Sequence, residues 1–427
     1  MKRSLAIVTL LLMVPILVFS NGMNLNNAGA KAIGMGGAFV GLADDYSAVY
    51  YNPAGLTQIE GTSVSLFMID LLPTATYKNK TYGIDAETTN GGYLSGAFGL
   101  FMDLGEKMKI GLYANVPSGL GTEWDGAELK NLSGPAQTQF EWMSKIGVIY
   151  FGPALAYDVN DKLSLGLSVN ISYGTMEMKL PMDFLAGAQP GHDGYRDAQY
   201  SDDATGMGYG LTLGALYHVN EKLSAGLSLR TKNTVKFSGD AEVPLLALIG
   251  KPTKSEFDRD ITWPIWIGAG VAYKATEKLT ITADVQLTQW ESTHEKLATK
   301  FKDPGWIQLL GKEYDIPLEW ENTMSIRIGG RYQLTPCLGV MAGFYTDPAP
   351  GVDETANILL PGIDNNVITF GVAWGNGPLE IQFAIEYLIG QETTVEAYPS
   401  PPHIPENMAG THNMNIPVPS LSVSYDL

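Results

Sequence analysis

Apolar and polar residues alternate along most of the chain after residue 62, in runs that are long for strands of a soluble protein. Between Leu163 and Tyr173, apolar residues occupy the odd positions, and serine, glycine or asparagine occupies the even ones. The run from Leu379 to Ile389 places apolar residues in the same way at every odd position. Such alternation predicts β-strands with one apolar face. Each run has 11 residues, which matches a tilted membrane-crossing strand of about 9–11 residues.

A hairpin signature recurs within this pattern. Segments beginning at Tyr157, Tyr217 and Tyr273 each contain the tyrosine, three further residues, an acid, Lys-Leu, and then serine or threonine. A looser copy begins at Tyr332. We expect a strand to end near each tyrosine, a tight polar turn to follow, and the next strand to begin at the leucine. The tyrosines would then form an aromatic girdle at one membrane interface.

The opposite connections are long, at about Pro181–Thr205, Asp240–Ile261 and Ser292–Asn322. Short turns on one side and long loops on the other are typical of an outer-membrane barrel whose short turns face the periplasm. Counting alternating runs from about Thr62 predicts an all-β transmembrane barrel of about fourteen antiparallel strands. The last run alternates up to Leu427, as is usual for such barrels, and we expect the barrel-assembly machinery to be a partner.

The N-terminus predicts export. Lys2 and Arg3 precede an apolar stretch, and small residues around Ser20 indicate a signal peptide, residues 1–20, cleaved after Ser20 or, almost as well, after Gly22. A net charge of −18 argues against a nucleic-acid partner. The single cysteine, Cys337, excludes a disulfide framework. We therefore predict a protein of the outer membrane of a Gram-negative bacterium.

Residues 21–60 lie between the signal peptide and the barrel, which we place at residues 61–427. The glycines between Gly34 and Gly41 have a dinucleotide-loop-like spacing, but no strand precedes them. Short helices fit better, and the residue before Pro53 should end one of them. A compact piece of this size attached to a barrel fits inside the lumen, so we predict a small N-terminal helical hatch at 21–60.

Residues 29–56, GAKAIGMGGAFVGLADDYSAVYYNPAGL, resemble the hatch of the FadL-type long-chain fatty-acid transporters of Gram-negative outer membranes, whose relatives include aromatic-hydrocarbon channels. The Asn-Pro-Ala of that hatch matches Asn52, Pro53 and Ala54. ANVPSGLGTEWDG at 114–126 and ENTMSIRIGGRYQL at 321–334 resemble the family's strands. The resemblance implies a fourteen-strand barrel, a hatch that gates passage at Asn52, Pro53 and Ala54, and no cofactor.

The family also implies that ligand is captured by extracellular loops and leaves sideways, where one strand kinks inward. We expect this kink near Pro117 and Gly119, because proline cannot donate a ladder hydrogen bond and glycine weakens a strand. The alternative is that Pro117 ends the strand at the extracellular rim. The apolar loop stretches 243–250 and 305–311 are either an outer ligand groove or short helices over the barrel mouth.

Strand parity directs Arg230, Arg327 and Arg331 into the lumen. An arginine fork suits a carboxylate, so these are candidate contacts for a ligand carboxylate. The stronger alternative is that they pair with lumenal acids or with the hatch.

The predicted function is uptake of hydrophobic compounds, above all long-chain fatty acids, by gradient-driven diffusion. The alternatives are an aromatic-hydrocarbon channel of the same family and a porin-like or adhesin-like barrel. Outer-membrane lipid and lipopolysaccharide are expected partners. The five histidines show no metal-ligand spacing and the chain has no G-x-S-x-G motif, so neither an enzyme nor a metal site is predicted.

Overall fold

The computed structural model describes residues 22–25, 28–89, 91–182, 198–397 and 408–427. The predicted signal peptide lies outside these ranges. The strands are β1 Ser63–Leu71, β2 Thr74–Asn79, β3 Ile84–Glu87, β4 Tyr93–Asp103, β5 Met108–Trp124, β6 Trp142–Asn160, β7 Leu163–Met182, β8 Ala198–Asn220, β9 Leu223–Arg230, β10 Asn233–Glu242, β11 Lys254–Trp263, β12 Trp266–Lys274, β13 Leu279–Thr288, β14 Lys296–Phe301, β15 Tyr314–Pro317, β16 Thr323–Thr335, β17 Leu338–Asp347, β18 Asn365–Asn376, β19 Leu379–Gly390, β20 Thr393–Val395 and β21 Gly410–Asp426.

All helices in the described ranges are short. The α-helices are Ala30–Gly34, Ala48–Tyr51, Gly126–Leu129 and Pro304–Leu310. The 3₁₀-helices are Pro53–Gln58, Lys130–Ala136, Pro244–Ile249, Trp290–Ser292 and Asp353–Thr355. None of these described helices has the length and apolar character needed to cross a membrane.

Fourteen antiparallel strands close a barrel, as predicted: β1, β4 to β9, β12, β13, β16 to β19, and β21. The ring closes where β1 pairs with β21, from Ser63 opposite Asp426 to Ile69 opposite Ser420. The other strands lengthen the wall on the side of the long loops. For example, β10 continues the line of β9 along the same neighbour, β8.

The two faces of the wall separate as the alternation predicts. On β7, Ser168 and Ser172 are buried, while Leu165 and Tyr173 are exposed on the outer face. The exposed apolar side chains form the face that contacts lipid, whereas the small polar side chains face the lumen. Tyr157, Tyr217, Tyr273 and Tyr332, which precede the short turns, are all exposed at the outer face, consistent with an aromatic girdle.

The prediction of two of the long loops is wrong, because strands occupy part of each. Strand β8 begins at Ala198, within the predicted loop Pro181–Thr205, and β11 occupies much of the predicted loop Asp240–Ile261. The outward positions there are charged, as at Asp203 and Glu256, so they lack the apolar face that identifies lipid-facing strands. These parts of the wall continue as β-structure beyond the apolar band.

The third predicted long loop, Ser292–Asn322, contains β14, a helix and β15. Both apolar loop stretches form short helices, Pro244–Ile249 and Pro304–Leu310. Leu248 in the first is 81% exposed, so this helix does not bury all of its apolar residues.

Residues 28–60 lie inside the barrel, against its lumenal wall. The helix Ala30–Gly34 is entirely buried and contacts β17, β18 and β19. The 3₁₀-helix Pro53–Gln58 contacts β6, β7 and β8 on the other side of the lumen. We refer to residues 22–25 and 28–60 as the N-terminal segment.

Glycines in the wall allow this segment to approach backbone to backbone. A Cβ atom at Gly166, Gly214 or Gly226 would overlap atoms of Pro53, Asn52 or Val40, respectively. Gly329 and Gly343 have the same relation to the chain around Met35 and Gly36. The high glycine content, 48 of 427 residues, therefore serves in part to seat the segment against the wall.

The substitution Gly214→Ala tests this packing. Its methyl group would overlap Oδ1 of Asn52, and overpacking of this kind costs about 1–3 kcal/mol. We expect a lower unfolding temperature and a higher ion conductance in planar bilayers, because the segment loses its seat on β8. Gly330→Ala is the matched control, since the nearest atom to its new Cβ would be 3.6 Å away. Wild-type conductance and stability in Gly214→Ala would contradict the role of close approach.

Candidate functional site

Asn52 ties two parts of the N-terminal segment to the wall. Its side-chain amide donates to the carbonyl oxygens of Val40 (2.9 Å) and of Ala215 on β8 (3.0 Å). Its Oδ1 accepts from the backbone N–H of Ala54 at 3.2 Å, across Pro53. The preceding helix ends at Tyr51, as expected from the proline. Asn52, Pro53 and Ala54 therefore fix where the segment meets the wall, and their role as a gate stays a prediction.

A buried carboxylate on β13 holds the glycine-rich turn of the segment. Oδ2 of Asp284 accepts hydrogen bonds from the backbone N–H groups of Phe39 (2.8 Å) and Val40 (2.9 Å). Asp284 is buried, and hydrogen bonds to a charged acceptor are stronger than those between neutral groups. Strand parity directs Asp284 into the lumen but does not identify its partner, because alternation gives only the direction of a side chain.

Arg230 also contacts the segment. Its Nη2 donates to the carbonyl oxygen of Tyr50 at 2.8 Å, and its guanidinium lies 4.3 Å from the centre of the Tyr50 ring. The centre of the Trp266 ring lies 5.0 Å from the same guanidinium. These contacts match the alternative in which a lumenal arginine binds the hatch.

The other two candidate arginines differ from each other. Nη1 of Arg327 donates to the carbonyl oxygen of Gly36 at 3.4 Å, and Arg327 is fully buried. Nη2 of Arg331 donates to Gln333 at 3.2 Å, near the short turn after β16. Contact of any of the three arginines with a ligand stays a prediction.

The wall has a window between β4 and β5. The two strands pair only from Asp103 opposite Lys109 up to Ala97 opposite Asn115. Above this point β4 and β5 separate, and the wall closes again at a bridge between Thr88 and Trp124. The gap thus lies beside the predicted kink.

Strand β5 continues to Trp124 rather than ending at Pro117, but its register with β6 shifts between Asn115 and Ser118. Within the irregularity, the carbonyl oxygen of Pro117 accepts from the N–H of Leu25 at 2.9 Å. Ser118 forms an isolated bridge with Asn24. The start of the N-terminal segment therefore forms hydrogen bonds with β5 at the place where β4 would form them in a regular wall.

A cavity of about 390 Å³ lies at this window. Its lining is mainly apolar and includes Leu25, Ile146 and Leu388 from the interior. It also includes Leu94, which is 70% exposed on the outer face of β4. The cavity thus extends from the lumen into the window. A volume in this range suits a small hydrophobic molecule, and none of the three candidate arginines lines it.

An aromatic cluster covers the start of the segment on the long-loop side. The imidazole of His294 stacks on Trp320, with 4.9 Å between ring centres, and Trp290 meets both rings edge-on. A Cβ atom at Gly22, a cavity-lining residue, would lie 3.0 Å from both indoles. The cluster therefore limits where the first residues of the segment can move.

Among the described residues, no group of three or more His, Cys, Asp or Glu side chains is arranged to hold a metal ion. The described residues form a closed barrel whose lumen is occupied by the chain's own N-terminal segment. An apolar cavity lies at a break in the barrel wall. These features define a class, the outer-membrane barrels that conduct hydrophobic compounds.

The chain belongs to the family described as "Outer membrane protein transport protein (OMPP1/FadL/TodX)", whose model matches residues 11–426. The family consists of outer-membrane transport proteins for hydrophobic compounds, and the protein is located in the Gram-negative outer membrane.

The chain is similar to outer membrane protein P1 of Haemophilus influenzae, with 24% identity over 406 residues, 84% of each chain. It is also similar to a putative outer membrane protein of Neisseria meningitidis, with 23% identity over 420 residues, 89% of this chain and 85% of the relative.

Two solved structures have the same fold. A Pseudomonas aeruginosa FadL homologue superposes with a TM-score of 0.81 at 19% identity, covering 95% of this chain and 100% of that one. The Ralstonia pickettii toluene transporter TbuX superposes with a TM-score of 0.74 at 20% identity, covering 94% and 99%. At these identities the likeness establishes the architecture.

Removing the Asp284 carboxylate should loosen the glycine-rich turn. Asp284→Ala leaves two buried N–H groups, those of Phe39 and Val40, without their acceptor, and each such loss costs about 1–3 kcal/mol. We expect faster amide hydrogen exchange at Phe39 and Val40. Asp260→Ala, which removes an exposed carboxylate from β11, is the control and should leave this exchange unchanged. Equal exchange in the two variants would argue against the anchor.

Acid should destabilise the aromatic cluster. Burial lowers the pKa of His294 to about 3, so the folded state keeps this imidazole neutral while the unfolded chain protonates it below about pH 6.5. The contribution of His294 to the free energy of unfolding is fully present above pH 6.5 and is lost as the pH drops towards 3. The loss is about 2–3 kcal/mol at pH 4.5.

The measurement is the unfolding temperature between pH 7.5 and 4.5, for the wild type and for His294→Phe. We expect the variant to lose less stability on acidification, since it has no imidazole to protonate. Identical pH profiles would mean that His294 is not the responsible group.

Proposed function

We propose that the protein takes up hydrophobic compounds across the outer membrane by diffusion down their gradient, with lateral exit through the window between β4 and β5. The observation that carries this proposal is the apolar cavity, which joins the interior of the barrel to the lipid-facing side at Leu94. A hydrophobic ligand that leaves sideways stays out of water, where each exposed CH₂ group is unfavourable by about 0.8 kcal/mol.

The occupied lumen argues against a porin. A channel for aqueous solutes needs an open water-filled path, whereas the helix Ala30–Gly34 and the side chain of Tyr51 are buried inside this barrel. In our proposal the N-terminal segment is a hatch. It keeps the barrel closed to water and rearranges around its first residues and around Asn52, Pro53 and Ala54 to let ligand pass.

Two substrate classes fit the cavity's apolar lining. Long-chain fatty acids are the class that the family resemblance of the sequence favours, and an acyl chain suits such a lining. Aromatic hydrocarbons are the second class, supported by the likeness in architecture to a toluene transporter. The two classes differ in charge, because only the fatty acid brings a carboxylate that needs a partner when it leaves water.

Filling the window tests lateral exit. Gly119 lines the cavity, and a Cβ atom there would have its nearest neighbours 3.9 Å away, so a larger side chain has room to enter. We expect Gly119→Phe to fold normally and to reduce uptake of a labelled hydrophobic compound to the level of cells without the protein.

The assay uses whole cells of a host that lacks its own transporter of this kind. Heat-modifiable migration of the barrel on denaturing gels reports folding. Gly330→Phe, on the outward side of β16 and away from the cavity, is the matched control. Normal uptake by folded Gly119→Phe would refute passage through the window.

A further inference from the structure

The inner end of the cavity is formed by the ends of β17 and β18 and carries oxygen acceptors. Asp347 and Asn365 are direct partners across these strands. Both line the cavity, and they are only 2% and 1% exposed. A third oxygen acceptor that lines the cavity is Glu386 on β19, which accepts a hydrogen bond from the hydroxyl of Tyr345.

The side-chain oxygen of Asn365 receives no hydrogen bond from the described residues. Its side-chain nitrogen donates to the carbonyl oxygen of Ile363 at 2.9 Å, which fixes the orientation of the amide. Its Oδ1 is buried and has no hydrogen-bond partner among the described residues. A buried acceptor without a donor is unfavourable by about 1–3 kcal/mol, and such groups are rare enough in native proteins to need an explanation. A donor brought by a ligand would satisfy this atom.

The charge at this end is negative on balance, since two acids, Asp347 and Glu386, and one cation, Arg327, all act on Tyr345. Burial, together with the negative charges of Asp347 and Asp353, raises the pKa of Asp364, in the loop before β18, to about 7. Among the described residues that line the cavity, Lys145 is the only basic one. It lies on the outer face of β6 at the window, 42% exposed and 3.6 Å from the carboxylate of Glu123.

We infer that Asp347 and Asn365 form a hydrogen-bond-accepting subsite, which binds the O–H or N–H group of an uncharged amphiphile and disfavours a carboxylate anion. This inference rests on the proposed uptake function and narrows its substrate class. An alcohol or amide donates to Oδ1 of Asn365 while its apolar part lies along Leu388 and Ile146. A carboxylate at the same place offers no donor and meets the like charge of Asp347.

Three ligands with the same ten-carbon chain test the subsite: decan-1-ol, decanoate and decane. Equilibrium dialysis of each labelled compound against the full-length protein in one detergent, at pH 8, gives the affinities after subtraction of empty micelles. We expect decan-1-ol to bind at least about tenfold more tightly than decanoate, a difference of about 1.4 kcal/mol. It should also bind more tightly than decane, which has no donor.

Two variants assign the effect to the two residues. Asn365→Leu should reduce the affinity for decan-1-ol to that for decane. Asp347→Asn should strengthen decanoate binding about tenfold and change decan-1-ol binding little. Glu354→Gln is the control, since it removes the same charge from an exposed position of the neighbouring loop that does not line the cavity. Heat-modifiable migration again confirms that each variant is folded.

The outcomes separate the inference from the proposed function. Equal or tighter binding of decanoate, or no effect of Asp347→Asn and Asn365→Leu in folded protein, would overturn the subsite while the hydrophobic site remains. Decanoate binding that depends on Lys145, tested with Lys145→Gln, would place the polar end of the ligand at the window and also overturn it. Failure of all three ligands to bind would remove the proposed function together with the inference.

Discussion

The backbone of the N-terminal segment lies directly against the backbone of the barrel wall, and the rest of the structure depends on this contact. A barrel of fourteen strands encloses more space than its own lumenal side chains fill. The segment fills it, but each N–H and C=O that it buries there needs a partner. Glycines such as Gly214 and Gly226 let the chains approach, and polar wall residues such as Asp284 and Arg230 supply the partners.

The same contact explains how the wall tolerates a window. Where β5 departs from β4, its hydrogen-bonding groups lose their neighbour, which would be unfavourable in a membrane without water. Residues near the start of the segment replace that neighbour, through Leu25 at Pro117 and Asn24 at Ser118. In the proposed mechanism, a movement of these first residues would alter both the cavity and the stability of the irregular strand β5.

Local rules predict the barrel from the sequence but not the contacts inside it. Period-two alternation and the tyrosine turns predict strands, orientation and strand number, because both faces of a membrane strand have defined surroundings. The rules fail at β11, where charged outward residues such as Asp260 border no lipid. Parity directs Arg230 and Arg327 inward, yet their partners, the carbonyl oxygens of Tyr50 and Gly36, lie about 180 to 290 residues away in the chain. Such pairs arise from tertiary packing, which no local pattern encodes.

The position of the lumenal arginines bears on which ligands the cavity can select. The lumenal arginines Arg230 and Arg327 donate to carbonyl oxygens of the segment, and neither lines the cavity. The inner end of the cavity carries the oxygen acceptors Asp347, Asn365 and Glu386. The need to hold the segment in place thus leaves the cavity apolar along its walls and electron-rich at its end. In the proposed mechanism, the hatch would therefore influence the charge of the ligand as well as its path.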